Sequence, residues 1–99
     1  MFAIKAGWEI EDYISVIKIV ATSKLSNISI IDDYVQSVLI NKIVELIYEA
    51  ERFEGKALDV IPEIPKNNNT LILCVSISFN SHNNKESFKK QLEKILKQG

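Results

Sequence analysis

Few side chains in this sequence are equipped for chemistry. The 99 residues include one histidine, His82, and one cysteine, Cys74. Transition-metal sites collect several His, Cys and carboxylate ligands at short spacings. One of each, with no carboxylates set around them, points to no such centre. Ser81 precedes His82 directly, and adjacent residues rarely form a nucleophile–base pair. The glycines, Gly7, Gly55 and Gly99, lie far apart, so no glycine-rich loop is available to cradle a phosphate. What remains is the loop Asn80, Ser81, His82, Asn83 with Lys85 just beyond it. It follows a strand-like run and precedes a helix-like one, where open α/β sheets bind ligands and helix N-termini attract anions. Lys89, Lys90, Lys94 and Lys97 could meet nucleic-acid phosphates. With no aromatic residues between them and a net charge of −1, a solvated face is the expectation. The residues therefore predict no enzyme, no cofactor and no metal.

The elements that would position that loop begin with Thr70 to Phe79, TLILCVSISF. Leu71, Leu73, Val75, Ile77 and Phe79 alternate onto one face of a strand. Ile72 and Cys74, followed by Ser76 and Ser78, take the other. Apolarity on both faces predicts a central strand with helices on each side. Such a strand needs a hydrogen-bonding neighbour at each border, and the sequence offers only the short Ala57 to Ile61. The deficit predicts a sheet completed by another chain.

Ahead of this strand, Met1 to Gly7 reads either as an apolar arm or as disorder. Glu9, Glu11 and Asp12 suit the first turn of a helix starting near Trp8. Ile10, Tyr13, Ile14, Ile17, Val20/Ala21 and Lys24/Leu25 keep helical spacing. Ile31 to Phe53 is strongly helical, with Gly55 as its stop. Two readings stand for residues 8–54. One is a pair of helices with a turn near Ser23 to Ser29. The other is a single helix, favoured by the lack of Gly or Pro, of ~45 residues and ~67 Å. Pro62 and Pro65 predict an extended linker over 55–69, ending in the polar turn Lys66 to Asn69. The last helix runs from about Lys85 to Gln98, with Asn83 as its cap and Glu86 as the capping-box partner.

Length and composition fit one soluble globular unit over 1–99, with 46 % apolar and 25 % charged residues. Residues 1–54 carry five basic and nine acidic side chains, and residues 55–99 carry seven and four. The halves are thus opposite in sign, so they could attract each other, or two copies could pair head to tail. A single cysteine fits a reducing compartment, and no apolar run reaches the length of a membrane span. The fold expected is α/β: a long N-terminal helix or helical hairpin, one central strand with at most one short companion, and a C-terminal helix. Together these would form a partial Rossmann-like layer.

The run Lys18-Ile19-Val20-Ala21-Thr22-Ser23-Lys24-Leu25 resembles a motif on the long N-terminal helix of the gamma, or central-stalk, subunit of rotary F-type ATP synthases. Leu71 to Ser76 is similar to that family's following strand. Phe79 to Asn84 stands where the family has a glycine-rich loop, with Asn80, Asn83 and Asn84 at glycine positions; asparagine also tolerates positive φ. The chain departs from the family in its acidic Glu9, Glu11 and Asp12, in the missing loop glycines, and in lacking the second axle helix. The resemblance implies a truncated, split or repurposed non-enzymatic stalk subunit, serving ATP synthesis and proton transport at the periphery of an energy-transducing membrane. Its partners would be ATPase alpha and beta subunits or a chain completing the gamma fold. Its interface would comprise Ile14, Ile17, Lys18, Val20, Ala21, Lys24 and Leu25 on the helix, with Leu71, Leu73 and Val75 on the strand. Two other readings are a small self-associating adaptor and a small α/β ligand-binding module using the Asn80–Lys85 loop.

Overall fold

A computed structural model describes residues 7–26, 29–63 and 69–98. The elements run β1 (Gly7–Asp12), β2 (Val16–Lys24), α1 (Ser29–Glu51), β3 (Lys56–Glu63), β4 (Thr70–Ser78) and α2 (His82–Gln98). The four strands form one antiparallel sheet in the order β1-β2-β4-β3. The fold is therefore α+β, with strands first. The long N-terminal helix, the lone central strand and the Rossmann-like layer expected from sequence are all corrected.

The correction has a clear physical origin in residues 16–24, VIKIVATSK. Five of these nine side chains are β-branched, and branching at Cβ favours the pleated strand over the helix. Ile17, Ile19, Ala21 and Ser23 alternate into the interior, a period of two that overrides the apparent helical spacing. They lie opposite Ile77, Val75, Leu73 and Leu71 of β4. The two central strands thus present one continuous apolar face. β3 fills the other border of β4. Both borders are satisfied from within the chain, so the deficit of strand partners inferred from sequence does not exist. The neighbour missing from the sequence expectation is β2, while β3, within the presumed linker, contains the short companion expected at Ala57 to Ile61; Pro62 is accommodated because β3 is an edge strand.

Both helices cover the same face. α1 lies on β4 and β3, α2 lies on β2, and the two helices touch. The core joins Ile17, Ile19, Leu73, Val75 and Ile77 to Leu39, Ile43 and Leu46 of α1 and Phe88 and Leu92 of α2. The opposite sheet face, expected beneath a second helical layer, has none among the described residues. Lys18, Val20, Ile72, Cys74 and Ser76 are half-buried there, and Lys18 pairs with Glu11 of β1 at 3.6 Å. Cα extents of 43 × 28 × 16 Å fit two layers.

α1 starts after a loop in which the Ser26 backbone N–H and hydroxyl both donate to Asp32, at 2.7 and 2.9 Å. It ends in a Schellman motif: Gly55 N–H donates to Ala50 C=O at 2.9 Å and Glu54 N–H to Glu51 C=O at 3.0 Å. The left-handed position belongs to Glu54, with φ of 62°. Gly55 is needed for a different reason. A Cβ there would lie 2.7 Å from the Phe79 ring and 2.9 Å from Ile77, so β3 can leave the helix only by crossing tightly over the end of β4.

Candidate protein-interaction surface

The loops at one end of the molecule converge around Lys85. This lysine sits in the first turn of α2 and is only 4 % exposed. Its ammonium donates to Asp12 Oδ1 at 2.7 Å, to the Tyr13 carbonyl at 2.8 Å and to the Ile14 carbonyl at 3.3 Å. Lys89, one turn later, donates to Asp12 Oδ2 at 3.0 Å. These two hydrogen bonds hold the Asp12 carboxyl below its usual range, and Asp12 in turn raises Lys89. Helix α2 thus clamps the β1–β2 turn, and Phe79 N–H adds a backbone bond to Ser15 C=O. Lys85 faces its own chain and has no free proton left for a ligand in the loop.

The other loop residues do no more. Ser81 caps α2: Asn84 N–H donates to Ser81 Oγ at 3.3 Å and Lys85 N–H to Ser81 C=O at 3.0 Å. The cap assigned from sequence to Asn83 and Glu86 is corrected accordingly. Ser captures this position because its short hydroxyl reaches the N3 amide directly. Asn84 donates to Glu54 at 3.2 Å. His82 is exposed, with Glu86 at 3.9 Å, while Asn80 and Asn83 are exposed. Among the described non-glycine residues only Glu54 has positive φ, so the three asparagines do not take the backbone of a glycine loop. No cluster of three or more metal-ligating side chains occurs among the described residues. A shallow open groove between β1 and α2, lined by Trp8, Ile10, Glu93, Leu96 and Lys97, holds one carboxylate and one ammonium and no converging set of polar groups.

The residues expected to meet a partner are distributed unevenly. Ile17, Ala21, Leu71, Leu73 and Val75 are core residues at 0–2 % exposure and cannot touch another chain. Leu25 packs against the core, Lys18 and Val20 are half-buried on the open sheet face, and Lys24 is exposed at the strand end. Ile14 is outside entirely, 95 % exposed at the tip of the β1–β2 turn beside Tyr13.

Among the described residues, four of the seven exposed large hydrophobic side chains lie on α1. Val35, Leu39, Ile43, Leu46 and Ala50 face inward. On the other side Ile30 is 82 % exposed, Tyr34 48 %, Val44 38 % and Tyr48 65 %. With Ser37 and Asn41 they form a stripe at residues 30, 34, 37, 41, 44 and 48. Its alternating steps of four and three are those of a coiled-coil seam. The acidic flank of Asp33, Glu45, Glu49 and Glu51 borders it. The inward face is covered by the fold, while the outer face mixes these apolar side chains with polar and acidic ones. The signal was present in sequence: α1 carries more apolar residues than its single inward stripe can use.

No protein-family profile, curated protein or solved structure matches the chain. No helix among the described residues is long and apolar enough to cross a membrane.

Proposed function

We propose that this chain is a non-catalytic protein-interaction module whose docking surface is the outer face of α1. The observation that carries the reading is the Ile30–Tyr34–Val44–Tyr48 stripe, turned away from the core on a helix whose other side is fully packed. Exposed apolar side chains grouped on one helix face mark binding sites, here as the pairs Ile30/Tyr34 and Val44/Tyr48 on either side of Ser37 and Asn41, and tyrosine is among the residues that most often dominate interface energetics.

The alternatives draw less support. A stalk subunit needs Lys18 to Leu25 on an axle helix, whereas Lys18 to Lys24 lie in the second strand of a four-stranded antiparallel sheet. A ligand-binding module needs the Asn80–Lys85 loop to present its groups outward, whereas Ser81 and Lys85 are consumed within the chain. Strand addition is also discouraged. The free edge of β1 carries Glu9, Glu11 and Asp12, and β3 is broken by a bulge between Ala57 and Val60 and contains Pro62.

Photo-crosslinking in the producing cell tests the reading. A benzophenone side chain replacing Ser37 is expected to give a discrete adduct that disappears when Tyr34→Glu and Tyr48→Glu are added. The same probe at Lys90, on the outer face of α2, is expected to give none. Equal labelling from both positions, or no adduct from Ser37, overturns the assignment.

A further inference from the structure

We infer that the occupant of the α1 stripe is a second copy of this chain, its α1 laid antiparallel across the first about a two-fold axis. The inference rests on the α1 face being the docking surface, and it adds the identity and orientation of what docks. An isologous interface must be complementary to itself, and this stripe is. Reflected about the point midway between Ser37 and Asn41, Ile30 falls opposite Tyr48 of the second copy. Tyr34 falls opposite Val44, and Ser37 opposite Asn41. Every aromatic ring meets an aliphatic side chain, and the two polar residues meet each other at the centre, where hydroxyl and carboxamide are complementary donors and acceptors.

The flanks agree. Val38 and Ile40, half-buried on either side of the seam, each meet their own equivalent near the axis. Asp33 faces Ile47 and Glu45 faces Ile31, so no like charges are directly opposed although the helix is acidic. The antiparallel arrangement also sets opposite ends of the helix macrodipoles side by side. The exposed parts of Ile30, Tyr34, Val44 and Tyr48 amount to on the order of 400 Å² per copy. A pair therefore covers on the order of 800 Å², and the half-buried flanks bring it to the lower end of specific interfaces, about 1,200 Å². That area fits a reversible dimer. A heterologous pairing of acidic α1 with the lysine face of α2 matches charge but sets the apolar stripe against polar side chains. The outer residues of α2 are Asn83, Ser87, Lys90, Glu93, Lys94 and Lys97, with no apolar group among them.

Sedimentation velocity of the full chain from low to several hundred micromolar tests this. The wild type is expected to show a monomer–dimer equilibrium. Tyr34→Glu/Tyr48→Glu is expected to weaken it by roughly 100-fold or more, because each substitution enters the symmetric interface twice; an unchanged circular dichroism spectrum checks its fold. Orientation is read from disulfide crosslinking in a Cys74→Ser background. A mixture of Ser37→Cys and Asn41→Cys chains is expected to crosslink faster than either alone. A wild type that stays monomeric throughout, a dimer that survives the double substitution, or faster crosslinking of Ser37→Cys with itself overturns the inference. A monomer that still gives a Ser37 photo-adduct of other than twice the chain mass rejects the second copy while leaving the docking surface in place. Absence of any adduct removes both.

Discussion

Two residues set the geometry of the loop end, and each acts through one atom's worth of space or charge. Gly55 is the first. Any Cβ there collides with the Phe79 ring and Ile77, and Phe79 itself stacks on Phe88 with ring centroids 5.4 Å apart. Gly55→Ala is therefore expected to destabilise the fold by ~1–3 kcal/mol in urea unfolding. Glu54→Gly, at the left-handed position one residue earlier, is expected to be neutral or stabilising by up to ~1 kcal/mol. The sequence pointed to Gly55 as the helix stop, but only its close packing against Phe79 and Ile77 distinguishes the two positions. Lys85 is the second. Lys85→Met leaves the Tyr13 and Ile14 carbonyls and Asp12 without their donor and is expected to cost ~2 kcal/mol. The paired carboxylate gives the clamp a pH signature. The folded pKa of Asp12 lies below the ordinary value of 3.8, so its contribution is complete above that value and is lost as pH falls through the depressed one. Lys89 has the opposite sign: its folded pKa lies above 10.5, so its share is complete below that value and fades as pH rises through the raised one. Stability measured between these limits is expected to lose its acid-side step in Asp12→Asn.

Among the elements, α1 has two faces with different work. Leu39→Ala or Leu46→Ala, on the inner face, is expected to cost ~2–5 kcal/mol. Tyr34→Glu and Tyr48→Glu, on the outer face, are expected to change the stability of the monomer by no more than ~0.5 kcal/mol each. Thermal unfolding at a concentration too low for association separates the two classes. What could be read from sequence divides along similar lines. β4 and α2 were legible because each has a single strong period, two over Leu71 to Ile77 and helical over Phe88 to Ile95; α1 was legible from the helical repeat Val35, Leu39, Ile43, Leu46 and Ala50, although its outer face is partly apolar too. β1 and β2 were not, because Ile10, Tyr13, Ile14 and Ile17 happen to fall at helical spacing while spanning a strand, a turn and the next strand. The decisive signal in that stretch was the density of β-branched residues from Val16 to Thr22. Once those residues are strand, the missing neighbour of β4 is found and the gamma-like axle loses its helix. Residues 1–6 of the arm expected over Met1 to Gly7, Pro65 and most of the polar turn (66–68) lie outside the described residues, while Gly7 opens β1.

For the molecule as a whole, the order β1-β2-β4-β3 with both helices on one face explains why the proposed docking surface falls on α1. The two central strands are each paired twice, the edges are charged or bulged, and the open sheet face is mixed, with the Lys18–Glu11 pair across it. The loop end is tied to itself through Lys85, Ser81 and Asn84. The layer that remains incomplete is the helical one, where α1 shows a second apolar stripe to solvent. Because α1 is acidic, screening by added salt is expected to strengthen its pairing with a like copy, whereas pairing with a basic surface is expected to weaken; sedimentation at two ionic strengths reads the sign. The most direct test of the account is amide chemical shift followed on dilution by NMR. Changes are expected only at the outer positions of α1, from Ile30 to Tyr48, with the strand edges unmoved. Changes running along β1 or β3 instead, or an unchanged spectrum at every concentration, contradict it.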